Sequence, residues 1–212
     1  MEPARALVAD CPWKFGDALP GPGRGAVKHY DCLSVEDLKR FPLPPLAPDC
    51  YLFFWRVASM TREADAVMDA WGFTPTGGEL KWVKTTGPCL VVIDPGTTKS
   101  WEQVVAAMRL TPDQRALLDD VTGKLAFGMG RTVRNCDEVC VIARRGKPKP
   151  LSLSVRSVFF APVGRHSEKP DRFYEIVEQL SPGPYVELFS RRRRSGWAHL
   201  GDEVPPEGSP LV

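Results

Sequence analysis

The stretch ARALVADCPW, residues 4–13, decides how the rest of the chain is interpreted. Its first six residues form a short apolar run, which is typical of a buried β-strand. The polar turn Asp10-Cys11-Pro12-Trp13 then follows at the carboxyl end of that strand. Because ligands gather at such strand ends in open α/β sheets, this tetrapeptide is the first candidate for an active site.

The tetrapeptide combines a hydrogen-bond acceptor, a constrained backbone and a flat aromatic ring, and methylation of the adenine N6 amine needs all three. Acceptance by Asp10 and by the Cys11 carbonyl would increase the nucleophilic character of the amine nitrogen, while Trp13 stacks on the base. Pro12 disfavours helical backbone at Cys11 and holds that carbonyl outward. Taken alone, the tetrapeptide is equally compatible with an ordinary strand-to-loop turn that buries a tryptophan.

Strands and helices alternate along the chain. Ser34 and Thr61 are predicted to cap helices, the second ending near Trp71 before Gly72, and another helix is predicted to run from Pro170 to Leu180. The further predicted strands are Asp49–Val57, Lys81–Lys84, Cys89–Ile93, Glu138–Ala143, Arg156–Pro162 and Tyr185–Phe189. This alternation predicts an α/β fold with a mostly parallel sheet covered by helices on both faces.

The chain is predicted to form a single domain over residues 1–204 with a flexible tail at 205–212. Two successive capping boxes predict an inserted helical hairpin at about 97–122. Its apolar residues either pack on their own domain or pair with a second copy, so we expect a monomer or a homodimer. The Pro- and Gly-rich segment Asp17–Gly25 is a candidate substrate lid.

Composition narrows the possible functions. Six scattered cysteines and three histidines form no ligand pattern, so we expect no metal site and no disulfide framework. Neither a membrane span nor a signal peptide is visible, and we expect a cytoplasmic protein. Net charge is only +2, so affinity for nucleic acid must come from local clusters, namely residues 144–149 and Arg191–Arg194, unless these are solvated loops.

The chain resembles the MT-A70 family of adenine-N6 methyltransferases. Asp10-Cys11-Pro12-Trp13 matches the family's Asp-Pro-Pro-Trp at three of four positions. Further blocks follow in the family's order and cover the chain apart from residues 85–124 and the last eight: His29-Tyr30, Leu52–Trp55, Trp71–Phe73, Trp82–Lys84, Gly128–Gly130, Arg134-Asn135, Glu138, Arg145-Gly146, His166–Pro170, Glu187–Arg191 and Gly196–Glu203. The matching members are the stand-alone bacterial and phage type.

The resemblance implies a Rossmann-like, S-adenosylmethionine-dependent methyltransferase with permuted motif order, in which the catalytic strand comes first and the cofactor strand last. Asp10, Cys11, Pro12 and Trp13 are then catalytic. The implied cofactor-binding residues are Lys169, Glu187, Arg191, Asp202 and Glu203, and the implied substrate-binding residues are His29, Tyr30, Trp55, Lys84 and Arg134. Two of these have simpler alternatives: Lys169 could be a surface helix cap, and Glu187 could pair with one of Arg191–Arg194.

Two departures from the family pattern affect the expected site. Cys11 replaces a proline but keeps the carbonyl, and Asp202 replaces an asparagine, so it can accept from ribose hydroxyls but not donate to them. Cys11 as a covalent nucleophile is not favoured, because Asp10 and Trp13 have no role in attack on a pyrimidine ring.

By analogy with those stand-alone members, DNA is the expected substrate, in a restriction-modification or phage setting within a bacterial cell. RNA methylation is the first alternative, and a catalytically inactive, nucleic-acid-binding partner subunit is the second. A methyltransferase for an amine outside nucleic acids is a third reading, which would require the two basic clusters to be dispensable.

Overall fold

A computed structural model of the chain describes residues 2–14, 32–86, 111–112, 125–126, 128, 132–165 and 168–201. Within these residues seven strands form one sheet in the order β5-β3-β4-β2-β1-β6-β7. The strands are β1 Ala4–Asp10, β2 Leu46–Arg56, β3 Thr74–Thr85, β4 Asp137–Arg145, β5 Val158–Pro162, β6 Tyr185–Leu188 and β7 Trp197–Leu200. Only β4 runs against its neighbours, which confirms the predicted mostly parallel sheet.

The two central strands divide their side chains between the two faces of the sheet. In β2, Leu52 and Phe54 join one buried cluster, whereas Phe53 and Trp55 join the other. This alternation follows from the two-residue repeat of a strand, and because both faces are buried, β2 is apolar from Cys50 to Trp55. Strand β1 is equally buried and lies between β2 and β6.

Three helices of the described residues cover these faces, as the sequence predicted. Helices α1, Val35–Lys39, and α2, Thr61–Ala70, contribute to the cluster that contains Leu52, and α3, Asp171–Leu180, contributes to the cluster that contains Phe53. No helix of the described residues is long and apolar enough to cross a membrane.

The helix signals were mostly correct. Ser34 caps α1 in a full capping box, because its hydroxyl accepts from the Asp37 N–H while the Asp37 carboxylate accepts from the Ser34 N–H. The predicted cap Thr61 is instead the first residue of α2: Met60 occupies the cap position, without a side-chain hydrogen bond, and the Thr61 hydroxyl contacts the Ala58 carbonyl.

Some strand predictions differ from the structure. β3 begins at Thr74, seven residues before the predicted start, because it pairs with β4 across Gly78 with a bulge. β7 was not predicted; only four residues long, it has too short a repeat to recognise. The predicted strand Cys89–Ile93, the lid segment Asp17–Gly25, the tail and all of the hairpin except Thr111 and Pro112 lie outside the described residues.

Burial predicts that the same substitution lowers the free energy of unfolding far more at one leucine than at another. Leu52 is fully buried between β1 and β4, whereas Leu153 is 92% exposed. We expect Leu52→Ala to lower the free energy of unfolding by about 2–5 kcal/mol, because it leaves a cavity. Leu153→Ala, the matched control, should change it by less than about 0.5 kcal/mol. Urea denaturation measures both, and equal losses would contradict this division of core and surface.

Candidate active site

The turn after β1 has a fixed backbone. The Trp13 N–H donates to the Cys11 carbonyl at 2.9 Å, which closes a three-residue turn around Pro12. Residue Leu33 then pairs with this turn: its N–H donates to the Pro12 carbonyl at 2.8 Å and its carbonyl accepts from Lys14 at 3.0 Å. The Cys11 carbonyl keeps one lone pair for a further donor.

Trp13 and Cys11 are both buried in this turn. The Trp13 ring lies 5.9 Å from that of Phe54, edge to face, and its indole N–H is buried with no hydrogen-bond partner among the described residues. Burial, and after it the Asp10 charge, raises the pKa of the Cys11 thiol well above its ordinary value. A protonated, buried thiol is a poor nucleophile, in agreement with the interpretation that Cys11 acts through its carbonyl.

Asp10 begins a chain of alternating charges. Its Oδ2 lies 2.7 Å from Lys169 Nζ and 3.4 Å from an Arg191 guanidinium nitrogen. Lys169 Nζ also lies 3.1 Å from Glu138 Oε2, whose other oxygen is 2.5 Å from Lys84 Nζ. This series of ion pairs therefore joins the last residues of β1 and β3 and the first residues of β4 to Lys169, the residue before the cap of α3.

Burial and pairing act in opposite directions on Lys169 and Glu138. Burial lowers the pKa of Lys169, but the charges of Asp10 and Glu138 outweigh it, so its pKa lies above the ordinary value. Burial likewise raises the pKa of Glu138, and Lys169 and Lys84 outweigh it, so its pKa lies below the ordinary value. The Lys169 ammonium also lies 4.9 Å from the centre of the Trp55 ring. Lys169 is only 6% exposed, which rules out the surface-cap alternative.

A second polar cluster lies at the end of β6. Glu187 is buried and accepts from the Tyr174 hydroxyl at 2.6 Å and from the Ser190 hydroxyl at 2.9 Å. His199 Nδ1 lies 3.0 Å from the Ser190 oxygen and 3.4 Å from Glu187. These contacts, rather than an ion pair with Arg191–Arg194, satisfy Glu187 among the described residues.

The two clusters meet in one pocket, lined by Asp10, Glu168, Lys169, Tyr174, Glu187, Phe189, Arg191 and Arg192. Phe189 follows β6 with a φ of 57°, a left-handed backbone that is rare outside glycine and is found at functional sites. Its ring lies 4.6 Å from that of Phe41. The pocket thus has carboxylates, cations and aromatic rings around the carboxyl ends of two adjacent parallel strands.

The predicted site residues divide into three groups. Asp10, Lys169, Glu187 and Arg191 line this pocket, and Trp55 and Lys84 join it through Lys169 and Glu138. Cys11, Pro12 and Trp13 form the turn after β1 and, like the exposed Arg134, are not among the residues that line the pocket. Asp202, Glu203, His29 and Tyr30 lie outside the described residues.

Sequence reasoning missed Tyr174, Phe189, Ser190 and His199 as site residues. Tyr174 lies beside Phe173 on α3 and is itself buried, so its hydroxyl needs a partner; that need was the available signal. The cluster Arg191–Arg194 is not a solvated loop either: Arg192 pairs with Glu168 and Asp171, and Arg194 covers the Tyr174 ring at 4.1 Å.

A mostly parallel sheet with helices on both faces, and with its polar pocket where β1 and β6 end side by side, is a Rossmann-like methyltransferase fold. The model of the MT-A70 family matches residues 118–203. This part of the chain is therefore similar to the MT-A70 family, as the sequence motifs indicated.

Relatives align over nearly all of the chain. It is 25% identical over 202 residues to the N(6)-adenosine-methyltransferase catalytic subunit METTL3 of Homo sapiens, covering 93% of this chain and 28% of that protein. It is 25% identical to the N(6)-adenosine-methyltransferase MT-A70-like protein of Drosophila melanogaster, covering 93% and 26%. It is 27% identical to the N(6)-adenine-specific methyltransferase METTL4 of Mus musculus, covering 94% and 37%. The chain therefore spans between a quarter and two fifths of the length of these relatives.

S-adenosylmethionine is the methyl donor of this family. The pocket offers what its parts need: Lys169 and Arg191 for a carboxylate, Glu187 for hydroxyl groups and Phe189 for a flat ring. These side chains therefore fit the donor chemically. Among the described residues, no group of three or more His, Cys, Asp or Glu side chains is placed to hold a metal ion.

The pH dependence of stability tests the charge chain. A carboxyl whose pKa falls on folding stabilises the fold above its unfolded pKa, near the ordinary 4.5, and loses that contribution as the pH drops through the folded pKa. We expect the free energy of unfolding to fall less steeply below about pH 4.5 in Glu138→Gln than in the unmodified chain.

Urea denaturation at a series of pH values measures this slope. Glu36→Gln is the control, since it removes an exposed carboxylate that pairs with Lys39 on α1, and it should keep most of the original slope. An unchanged slope in Glu138→Gln would show that Lys169 and Lys84 do not hold Glu138 in its charged form.

Proposed function

We propose that the chain transfers a methyl group from S-adenosylmethionine to N6 of adenine in nucleic acid, and that DNA is its substrate. The observation that carries this proposal is the position of Asp10: it ends the central strand β1, faces Lys169 and Arg191, and shares their pocket with Glu187. The donor supplies a methyl group on a cationic sulfur. The protein then has to orient the amine and exclude water from it.

Asp10 orients the target amine rather than acting as a strong base. Its carboxylate is paired with two cations, so it serves as an acceptor for one N–H of the amine, and the Cys11 carbonyl serves as the second acceptor. Trp13, which was expected to stack on the base, is 3% exposed and packs edge to face against Phe54. The target base must leave its stack to reach this turn, at a cost of a few kcal/mol.

Lys169 can serve both the chain of charges and the donor. An ammonium group has three N–H donors, and Asp10 and Glu138 take two of them. The third remains for the methionine carboxylate of the donor, as the resemblance implies. Glu187 and Arg191 are proposed to contact the rest of the cofactor, and Asp202 and Glu203 keep their implied role as proposals.

The names of the relatives bear on the choice of substrate. Those of Homo sapiens and Drosophila melanogaster are named for adenosine, a ribonucleoside, whereas the Mus musculus METTL4 protein is named for adenine, which leaves the sugar open. RNA is therefore the second candidate, supported by the first two names. Incubating the chain with labelled S-adenosylmethionine and matched single-stranded DNA, duplex DNA and RNA, followed by nucleoside mass spectrometry, decides between them.

The three outcomes differ. N6-methyladenine in DNA alone supports the full proposal, and its appearance in RNA alone corrects the substrate. Absence of transfer to any of the three, with S-adenosylhomocysteine still bound, would favour the inactive partner subunit instead.

Variants at Asp10 test its role as an acceptor. Asp10→Ala should abolish transfer, because one acceptor of the amine is lost, whereas Asp10→Asn keeps an amide oxygen and should retain partial activity. Transfer rates with saturating donor measure both variants, and calorimetry with S-adenosylhomocysteine checks that cofactor binding persists. Wild-type rates in both variants would contradict the proposal that Asp10 accepts a hydrogen bond from the amine.

Lys169→Met tests the contact with the donor. Methionine keeps an apolar stem over Trp55 but removes the charge, so affinity for S-adenosylhomocysteine should fall by about 1.5–3 kcal/mol. Lys84→Met is the matched control: it removes the other cation on Glu138, lies outside the residues that line the pocket and should leave affinity nearly unchanged. Equal affinities in the two variants would mean that Lys169 only neutralises Asp10 and Glu138.

A further inference from the structure

The basic cluster of residues 144–149 lies at the edge of the sheet opposite Asp10. β4 runs antiparallel to β2, so Cys140 pairs with Trp55 beside Asp10, whereas Arg145 pairs with Cys50, five residues before Trp55 in β2. Arg145 lies five residues along β4 from Cys140, which corresponds to about 17 Å. The cluster therefore lies too far from Asp10 to contact the phosphates next to the target adenine.

The turn that carries this cluster is rigid. Gly146 has a φ of 68°, and a Cβ there would lie 2.3 Å from both Asp49 Oδ1 and the Pro48 carbonyl oxygen. The Lys147 N–H donates to Asp49 Oδ1 at 2.7 Å, and the Tyr51 hydroxyl donates to the Pro148 carbonyl at 3.0 Å. The lysines of the turn are thus presented from a fixed backbone rather than from a loose loop.

A cavity of about 380 Å³ opens beside the turn, within the size range of ligand sites. Arg5, Lys147 and Lys149 supply its positive charges, and none of the three forms an ion pair with another described residue. Asp49 is the one acid among the described lining residues, and its Oδ1 already accepts from the Lys147 backbone. The amino edge of the sheet thus carries an excess of cations that no described carboxylate neutralises.

We propose that this amino-edge pocket, defined by Arg5, Lys147 and Lys149, binds the phosphodiester backbone of the nucleic acid at a second point, away from the target adenine. The choice of nucleic acid as the ligand of this pocket depends on the proposed function. A separation of about 17 Å corresponds to roughly five base pairs at ~3.4 Å per step, so one duplex lying along the chain can reach both edges. Unpaired lysines on a fixed turn suit phosphate, which is bound by point charges and carries no sequence information.

The double variant Lys147→Gln/Lys149→Gln tests this proposal. Lys81→Gln/Arg156→Gln is the matched control, because it also removes two exposed cations, at the β3–β5 side of the sheet. Fluorescence anisotropy with a labelled duplex of about 30 base pairs gives the dissociation constant at several salt concentrations. Losing two phosphate contacts should reduce the slope of log K against log salt by about 1.8 in magnitude, and the control should keep the original slope.

Methyl transfer gives an independent readout. KM for the long duplex should rise in Lys147→Gln/Lys149→Gln. A duplex of about 6 base pairs with the target adenine at its centre leaves only about 3 base pairs on either side, too few to span about 17 Å, and should be methylated as by the unmodified chain. The proposal is overturned if the salt slope is unchanged, if the control lowers it equally, or if inorganic phosphate binds the pocket while the slope stays unchanged. A changed slope in a chain that transfers no methyl group would uphold this site and refute the proposed function.

Discussion

The buried pair of Asp10 and Lys169 is the interaction on which the site depends. Lys169 is 6% exposed and lies 159 positions along the chain from Asp10, with Nζ 2.7 Å from the carboxylate. Burying an ammonium group costs several kcal/mol unless opposite charges and hydrogen bonds compensate for it. Asp10 and Glu138 provide both, but only when β1, β4 and the start of α3 are assembled. The buried charge of Lys169 is therefore stabilised only in the folded chain.

The order of strands explains why one sheet can present two separate polar edges. β1 and β6 are parallel neighbours, so their carboxyl ends bring Asp10 and Glu187 to the same pocket. β4 is antiparallel, so it brings Glu138 to this edge with its first residues and the turn 144–149 to the other edge with its last. A single reversed strand thus connects the Asp10–Lys169 pair to the basic turn, through a rigid, fully hydrogen-bonded element.

Local signals in the sequence predicted local structure. Features that depend on pairing between distant parts of the chain could not be predicted in this way. Ser34 and the apolar repeat of α3 depend on neighbours within four positions, so they could be read directly. Thr61 failed as a cap, because the chain enters α2 one residue earlier. Asp10 was found at the end of a predicted buried strand, and Lys169 and Glu187 through motif resemblance. Ser190 and His199, in contrast, contact Glu187 only because β6 and β7 pair. Nothing in the short β7 segment indicates that pairing.

The cluster around Glu187 shows how the fold prepares a carboxylate before any ligand is present. The Arg194 N–H donates to His199 Nε2 at 2.8 Å, and His199 Nδ1 lies 3.0 Å from the Ser190 oxygen and 3.4 Å from Glu187 Oε2. Tyr174 donates to one Glu187 oxygen and Ser190 to the other. Each donor uses one lone pair of a group that can accept about four hydrogen bonds, so Glu187 is oriented and can still receive hydroxyl donors. A carboxylate held in this way loses little conformational freedom on binding, which favours the cofactor role proposed for it.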